Sequence, residues 1–404
     1  MKQLRTVVFW LHLLSGVTAG AVILIMSATG VVLALKPQIQ NWIERDVRSV
    51  APQPARLGAL RLLAAVKEAR PDSSPQSLTV SRDPATAAIV GLGRAGNLYV
   101  NPYTGAILGA GSARTTEFFQ SMTNWHRYLA ATGEYRATGR SATGVSNLAF
   151  LILSITGLYV WWPKQLTRKG LKPIVWFRRT STGRARDFNW HNTIGFWCLI
   201  PIVIMTVSGV VMSYPWANHL VYRLSGSPVP VRGSGPRSPQ REPAPPVIPA
   251  ELDRIWTRAE AQVPSWSLLT MRLPGRDGAP VAFTITDGAN WNAFARSNLT
   301  LNGASGAVVE FQPYENNNLG QKIRGWLRFA HTGELGGLSG QILAGLGCLG
   351  GVFLVYTGLA LAWRRLWNWS LWARLGLARR RARRAPGNTP ASSTGREPVL
   401  DYPE

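Results

Sequence analysis

Four long apolar runs divide this chain, at residues 7–35, 145–162, 196–214 and 342–363. Each approaches the roughly 20 residues that a helix needs to cross a hydrocarbon core. The second is the shortest, but it extends back through Ser141 and Gly144 without a charge. The pattern therefore predicts transmembrane helices over 7–35, 141–163, 188–215 and 339–365. Two long polar segments, 36–140 and 216–338, separate the first helix from the second and the third from the fourth. In them, residues 61–70 and 254–263 read as short helices, each stopped by a proline, Pro71 and Pro264. Alternation over 77–81 and 282–286 predicts strands, and 101–105 and 302–306 read as hairpin turns. Each polar segment is thus expected to fold as a small α+β unit. Residues 225–250, rich in Pro, Gly and Ser, predict a flexible insert in the second unit. Residues 164–187 form a basic loop, and 366–404 a basic tail that is largely disordered from Ala385 on.

The two halves of the chain resemble each other. FWLHLLSGVTAGAVILIMSATGVV, from Phe9, aligns without a gap with FNWHNTIGFWCLIPIVIMTVSGVV, from Phe188. The match keeps His12/His191, Gly16/Gly195, Met26/Met205 and Gly30/Gly209 in step. LYVNPYTGAIL matches LTLNGASGAVV, and ITGLYVWWPK matches YTGLALAWRR. Each half is a span, an external unit and a second span, so the expected architecture is a four-helix bundle built by tandem duplication. Both halves cross in the same sense, which makes the repeat parallel, with its axis along the membrane normal.

A mean hydropathy of zero averages these very different regions. The net charge of +24 would suggest a nucleic-acid partner in a soluble protein, but here the basic residues flank membrane spans. Lys2 and Arg5, the segment PKQLTRKGLKPIVWFRRTSTGRAR and the segment WRRLWNWSLWARLGLARRRARR are all rich in Lys and Arg. The positive-inside rule puts these in the cytoplasm, with both termini inside, both α+β units outside and no nucleic-acid role. Trp161, Trp162, Trp363 and Trp367 read as interfacial anchors. Cys198 and Cys348 fall within apolar spans, so they are expected as free thiols rather than a disulfide. The first span is too long for a cleaved signal peptide. Gly91-Leu-Gly-Arg-Ala-Gly96 fits a dinucleotide-binding pattern, but a strand rather than a helix is predicted to follow, so it reads as a hairpin turn.

Candidate chemistry lies in four of the five histidines. His12 and His191 open apolar helices, and His126 and His331 each precede one. Alternating topology puts the first pair at one membrane face and the second at the other. A histidine within a span marks a functional site by default. His12 taken alone reads equally as an interfacial side chain, and the match at His191 favours a site. Gly16 and Gly195 lie one turn after their histidines on the same helix face, leaving room for a flat macrocycle. His126 and His331 each neighbour a T-G-E triplet, with spacing that differs between the halves. Two bis-histidine sites on opposite faces suggest two b-type haems per chain and electron flow across the bilayer. By symmetry His12 pairs with His191, and His126 with His331. Arg5 and Arg186 on the inside, and Arg127, Arg140, Arg324 and Arg328 outside, are candidate partners for haem propionates. His219 has no counterpart and reads as a surface residue.

The repeated span with its leading histidine, the N-P-Y-T-G hairpin and the T-G-L-x-V-W-W ending resemble the PepSY-associated transmembrane proteins, over residues 9 to about 367. These include iron-regulated inner-membrane siderophore-iron reductases. The resemblance implies periplasmic PepSY-like domains, a four-helix core and b-type haem, with ligand roles at His12, His126, His191 and His331. It also implies reduction of periplasmic ferric-siderophore complexes, with electrons from a separate cytoplasmic reductase or a quinol. Trp125, Glu134, Tyr135 and Glu334 are expected at the substrate rim. Three alternatives stay open: a haem-free peptide-binding or regulatory protein, an iron or siderophore transporter subunit, and a cytochrome serving another periplasmic acceptor.

Overall fold

A computed structural model describes residues 2–162, 167–178, 182–230, 246–289, 292 and 294–384. In chain order it contains α1 (Lys2–Ala34), α2 (Lys36–Ile43), α3 (Arg45–Arg48), α4 (Ala59–Ala69), β1 (Ser77–Ser81), β2 (Ala88–Gly91), β3 (Asn97–Val100), β4 (Ile107–Ala110), α5 (Ala113–Tyr128), α6 (Arg136–Trp161), α7 (Arg168–Val175), α8 (Gly183–Ser213), α9 (Pro215–Leu224), α10 (Leu252–Gln262), β5 (Trp266–Arg272), β6 (Val281–Asp287), β7 (Arg296–Leu301), β8 (Val308–Gln312), α11 (Leu319–Thr332) and α12 (Gly337–Arg384). Each half runs from a long helix through short helices, three in the first half and two in the second, to four strands, a helix and a second long helix.

Four helices, α1, α6, α8 and α12, are long and apolar enough to cross a membrane. Their apolar residues do not keep to an inward face: Leu14, Ile155, Ile200 and Leu343 all point outward. A helix that is apolar all round suits lipid, not water. The four pack in a ring, α1 against α6 and α12, and α8 against the same two. Small residues let them approach closely, as is usual between membrane helices. A Cβ at Gly350 would overlap the Cys198 thiol, and one at Gly351 the Ser27 hydroxyl. The predicted basic loop contains α7, which packs on α8. The predicted tail continues α12 as helix to Arg384. Most of the predicted insert and the tail from Ala385 on lie outside the described residues.

The two α+β units do not stand apart. Their strands form one eight-stranded antiparallel sheet in the order β4-β3-β2-β1-β5-β6-β7-β8. The halves join at β1 and β5, where Thr79 lies opposite Thr270 and their hydroxyls bond at 3.1 Å. Left unpaired, β1 and β5 would each be an exposed edge, and joining them removes both. One hydrophobic core serves the whole sheet. It takes Leu63, Val66, Leu78 and Val90 from the first half and Ile255, Leu269, Met271 and Phe283 from the second. The helices α4 and α10 pack against each other across this junction. The Asp253 carboxylate of α10 accepts from the Leu60 backbone N–H at 2.8 Å, filling the place of the side-chain cap that Gly58 cannot provide for α4. Gly91 to Gly96 turns between β2 and β3, with Gly93 and Gly96 at φ of 62° and 90°, and no helix follows.

A buried carboxylate ties this sheet to the bundle. Glu44, just past α2, accepts two hydrogen bonds from Arg48, at 3.1 and 2.7 Å. It also accepts the Tyr99 hydroxyl of β3 at 2.8 Å and the Ser112 N–H at 3.0 Å. Ser112 is the N-cap of α5. Burial by itself would raise the Glu44 carboxyl, but the bonds from Arg48, Tyr99 and Ser112 outweigh it and hold it below the ordinary carboxylate value. The same burial and carboxylate push the Tyr99 phenol well above its ordinary value.

Two outcomes follow for unfolding in detergent. Leu269→Ala opens a cavity at the sheet junction, costs about 2–5 kcal/mol and lowers a single transition for both halves of the sheet; two separate transitions would mark independent units. Glu44→Gln costs about 2 kcal/mol at neutral pH. In the parent protein this stabilisation is complete above the ordinary carboxylate range and disappears as pH falls through the lowered folded value. The Gln variant lacks that acid-side loss.

Candidate functional site: two histidine pairs in the bundle

His12 of α1 and His191 of α8 face each other, with ring centres 6.4 Å apart and planes at 87°. Both nitrogens of each ring can be accounted for. His12 Nδ1 lies 2.9 Å from the Thr156 hydroxyl oxygen, and that hydroxyl donates its one proton to the Ile152 carbonyl at 2.7 Å. Thr156 must therefore accept from His12, which assigns the proton to Nδ1 and leaves Nε2 with a bare lone pair. His191 repeats this with Thr357, 2.9 Å away, whose hydroxyl donates to the Phe353 carbonyl. Each threonine is followed by a glycine against the imidazole. A Cβ at Gly157 would stand 3.2 Å from His12 Cε1, and one at Gly358 would stand 3.4 Å from His191 Cε1. Around the pair is a largely apolar cavity of about 300 Å³, lined by Gly16, Gly195, Gly157 and Gly358 among others, with Arg184 and Arg365 as its cations.

The second pair lies at the sheet end of the bundle. His126 of α5 and His331 of α11 have ring centres 6.3 Å apart and planes at 71°. Neither residue is on a spanning helix, yet each leans on one. His126 Nδ1 donates to the Met26 carbonyl at 2.9 Å and lies 3.1 Å from the Thr29 hydroxyl. His331 Nδ1 donates to the Met205 carbonyl at 2.9 Å and lies 3.0 Å from the Ser208 hydroxyl. Thr29 and Ser208 in turn donate to the Ile25 and Ile204 carbonyls. Met26 and Thr29 lie about 21–25 Å beyond His12 at 1.5 Å of rise per residue, and the same spacing holds on α8. Gly30 sits beside His126 and Cys348, and the Cys348 and Met205 sulfurs are 3.6 Å apart.

The cationic partners expected from sequence are arranged differently. Arg5 donates to the Val160 carbonyl, and Arg186 pairs with the buried Asp187 at 3.0 Å. Asp187 also binds Arg364 at 3.1 Å. Arg186 and Arg5 are thus engaged with protein groups, and Arg184 and Arg365 line the inner cavity instead. On the sheet side, Arg127 and Arg136 pack over the Tyr128 ring at 5.2 and 4.1 Å. A hydrogen bond from Arg136 lowers the Tyr128 phenol against the opposing effect of burial, and the charges of Arg127 and Arg140 act with it. Arg324 donates to Asn218 at 2.7 Å, and Arg328 packs over Phe329. Trp125, Glu134 and Tyr135 are exposed, Glu334 is half-buried, and His219 is exposed on α9. Cys198 and Cys348 are free thiols.

The chain turns sharply between His126 and α6. Leu129 and Ala130 both take left-handed backbone conformations, at φ of 52° and 58°. Non-glycine residues rarely do so, and strain of this kind gathers at functional sites. A Cβ at Gly139 would strike the Tyr128 carbonyl, so α6 can cross this turn only with glycine there.

The committed Nδ1 leaves Nε2 as the unprotonated nitrogen of each ring, and ring centres 6.3–6.4 Å apart leave room for one metal ion at metal–imidazole distances of about 2.0–2.1 Å. No group of three or more His, Cys, Asp and Glu residues is placed to hold a metal among the described residues. Two imidazoles so placed could hold a metal whose remaining donors come from its own cofactor, as in haem with two axial histidines. The hydroxyls and carbonyls on Nδ1 are the outer hydrogen-bond shell that such ligands require. Sequence reasoning missed Thr156, Thr357, Thr29 and Ser208. Their signal was present, since each pair recurs at matching positions of the repeat.

The PepSY-associated TM region, as a protein family, matches residues 9–365. Comparison with curated proteins finds no match.

The assigned tautomer can be tested directly. Imidazole ¹⁵N NMR should show all four rings protonated at Nδ1. Thr156→Val and Thr357→Val each leave a buried donor without its acceptor and lower stability by about 1–3 kcal/mol, whereas Thr→Ser at either position retains it. Equal stability of the Val and Ser variants would refute the role.

Proposed function

The chain belongs to the PepSY-associated TM family, and from that premise we propose that it is a membrane oxidoreductase with two b-type haems. One would be held by His12 and His191, the other by His126 and His331. The observation that carries this is the repeated commitment of Nδ1 at all four rings, which leaves Nε2 as the ligating nitrogen of each, with the rings paired at centre distances of 6.3–6.4 Å. When bound, haem supplies reversible one-electron chemistry. The chain's part is to hold the imidazoles in one tautomer, to surround the inner site with apolar side chains, and to place cations at its edge. Arg184 and Arg365 are the inner candidates for pairing with propionates, and Arg127 and Arg140 those on the sheet side.

The basic face carries residues 167–178 and 182–187 and the end of α12, so the positive-inside rule assigns it to the cytoplasm. The sheet is then periplasmic, both termini are cytoplasmic, and the membrane is the bacterial inner membrane. The two halves arose by tandem duplication, which explains why the same hydroxyl holds the same imidazole twice. Electrons enter near His12 and His191, leave near His126 and His331, and reduce ferric iron in a periplasmic chelate, with a ferric siderophore as the favoured substrate. Reduction frees the metal, because Fe(II) binds such chelators weakly. Trp125, Glu134, Tyr135 and Glu334 surround the exit.

The visible spectrum of purified protein, before and after dithionite and with a haem count per chain, tests this reading. Two haems are expected. His12→Ala or His191→Ala should leave one, and so should His126→Ala or His331→Ala. The second pair of variants should also abolish ferric-chelate reduction at the sheet face. A protein without haem after expression with ample haem would instead favour a peptide-binding or regulatory role.

A further inference from the structure

We infer that electrons reach this protein from an acidic, water-soluble one-electron carrier docking on the basic face, and not from a quinol in the bilayer. The direction of flow rests on the function proposed above; the docking surface rests on charge and on the lining of the inner cavity.

Oxidising a quinol to a quinone removes two electrons and two protons, so a site that does it needs a base. Among the described residues, the ionisable side chains lining the inner cavity are His12, His191, Arg184 and Arg365. Arginine does not accept a proton in proteins. Both histidines already donate Nδ1–H to threonine, and on the reading proposed above their Nε2 atoms are taken up by the haem iron. The cavity is therefore built to pass electrons without protons. Each transfer takes one electron from the reduced carrier, which is left oxidised by one, and turns one Fe(III) into Fe(II) in the chelate. No bond to hydrogen is made or broken at the entry cavity.

The surface around that cavity selects the carrier. Among the described residues, Asp187 is the single carboxylate on this side, and Arg186 and Arg364 neutralise it. Lys172, Arg178, Arg184 and Arg365 are exposed on the same side. Arg365 packs over Phe9 and Trp10, at the opening of the helix that carries His12. The loop bearing Arg178 is not free to move away: its N–H donates to the Asn189 side chain at 2.9 Å, and Asn189 also binds the Trp176 carbonyl. A fixed field of one sign around a redox centre steers and orients a partner of opposite charge.

The test uses the full chain in nanodiscs of zwitterionic phosphatidylcholine, with flavodoxin, an acidic flavin carrier, as the probe. Binding is measured with and without haem. Flavodoxin should bind at low salt, and binding should weaken by about tenfold or more in molar salt, where the Debye length is about 3 Å. The double variant Lys172→Glu/Arg178→Glu, which leaves the cavity untouched, should weaken binding similarly at unchanged haem content. In the haem-loaded protein, reduced flavodoxin should outpace a short-chain ubiquinol. Salt-independent binding, unchanged affinity in the double variant or faster reduction by ubiquinol would each overturn the inference. So would binding of anionic vesicles with none of flavodoxin, since the cations would then serve only the bilayer. Haem content, read separately, distinguishes failure of this inference from failure of the redox reading.

Discussion

Each of the four imidazoles in the bundle is held through Nδ1 by an acceptor that has no freedom to do otherwise. Thr156 and Thr357 spend their hydroxyl protons on carbonyls of their own helices, and at the other pair the Met26 and Met205 carbonyls have no proton to give. They can only accept from the histidine. A polar ring buried among apolar helices is costly unless its hydrogen bonds are met, and these bonds meet that cost while leaving the other nitrogen unprotonated. The glycines after Thr156 and Thr357, the close helix crossings and the recruitment of α5 and α11 to the bundle all serve to bring ring and acceptor together.

Much of this was legible in the sequence. The four long helices, the strand over Ser77–Ser81 and the turns after Asn101 and Asn302 follow from local periodicity and turn chemistry, which act over a few residues. The facing of His12 with His191 and of His126 with His331 followed from the repeat, because equivalent residues of a parallel repeat can meet at its axis. What was not legible depends on groups that carry no side-chain pattern. The union of the two strand units is made by backbone N–H and C=O groups at β1 and β5. Alternation in either strand says which face is buried, not which neighbour an edge will find. The cations at the inner cavity were also misassigned, because Arg5 and Arg186 are near in sequence but are drawn to Val160 and Asp187. A short distance along the chain says little about where a long side chain ends.

Glu44 shows how the two parts of the molecule share one set of contacts. It joins the end of the first spanning helix, the sheet through Tyr99, and the start of α5 through Ser112. The helix that presents His126 is thereby anchored at its first residue by the sheet and near its last turn by α1. The second half reaches the same end by other means, with a capping box between Asn318 and Gln321 at the start of α11. The two halves agree closely at the imidazoles and diverge in how the surrounding scaffold holds the helices that carry them.

The eight-stranded sheet has a mechanical consequence. A bundle that carries a solute by rocking one half against the other must let the halves part at each face in turn. Here the β1–β5 ladder, the shared core and the Asp253 cap on α4 lash the halves together on one side. Opening there would mean peeling two strands apart and exposing a hydrophobic interior. The molecule is braced like a truss, which resists any motion that would part its halves at that end.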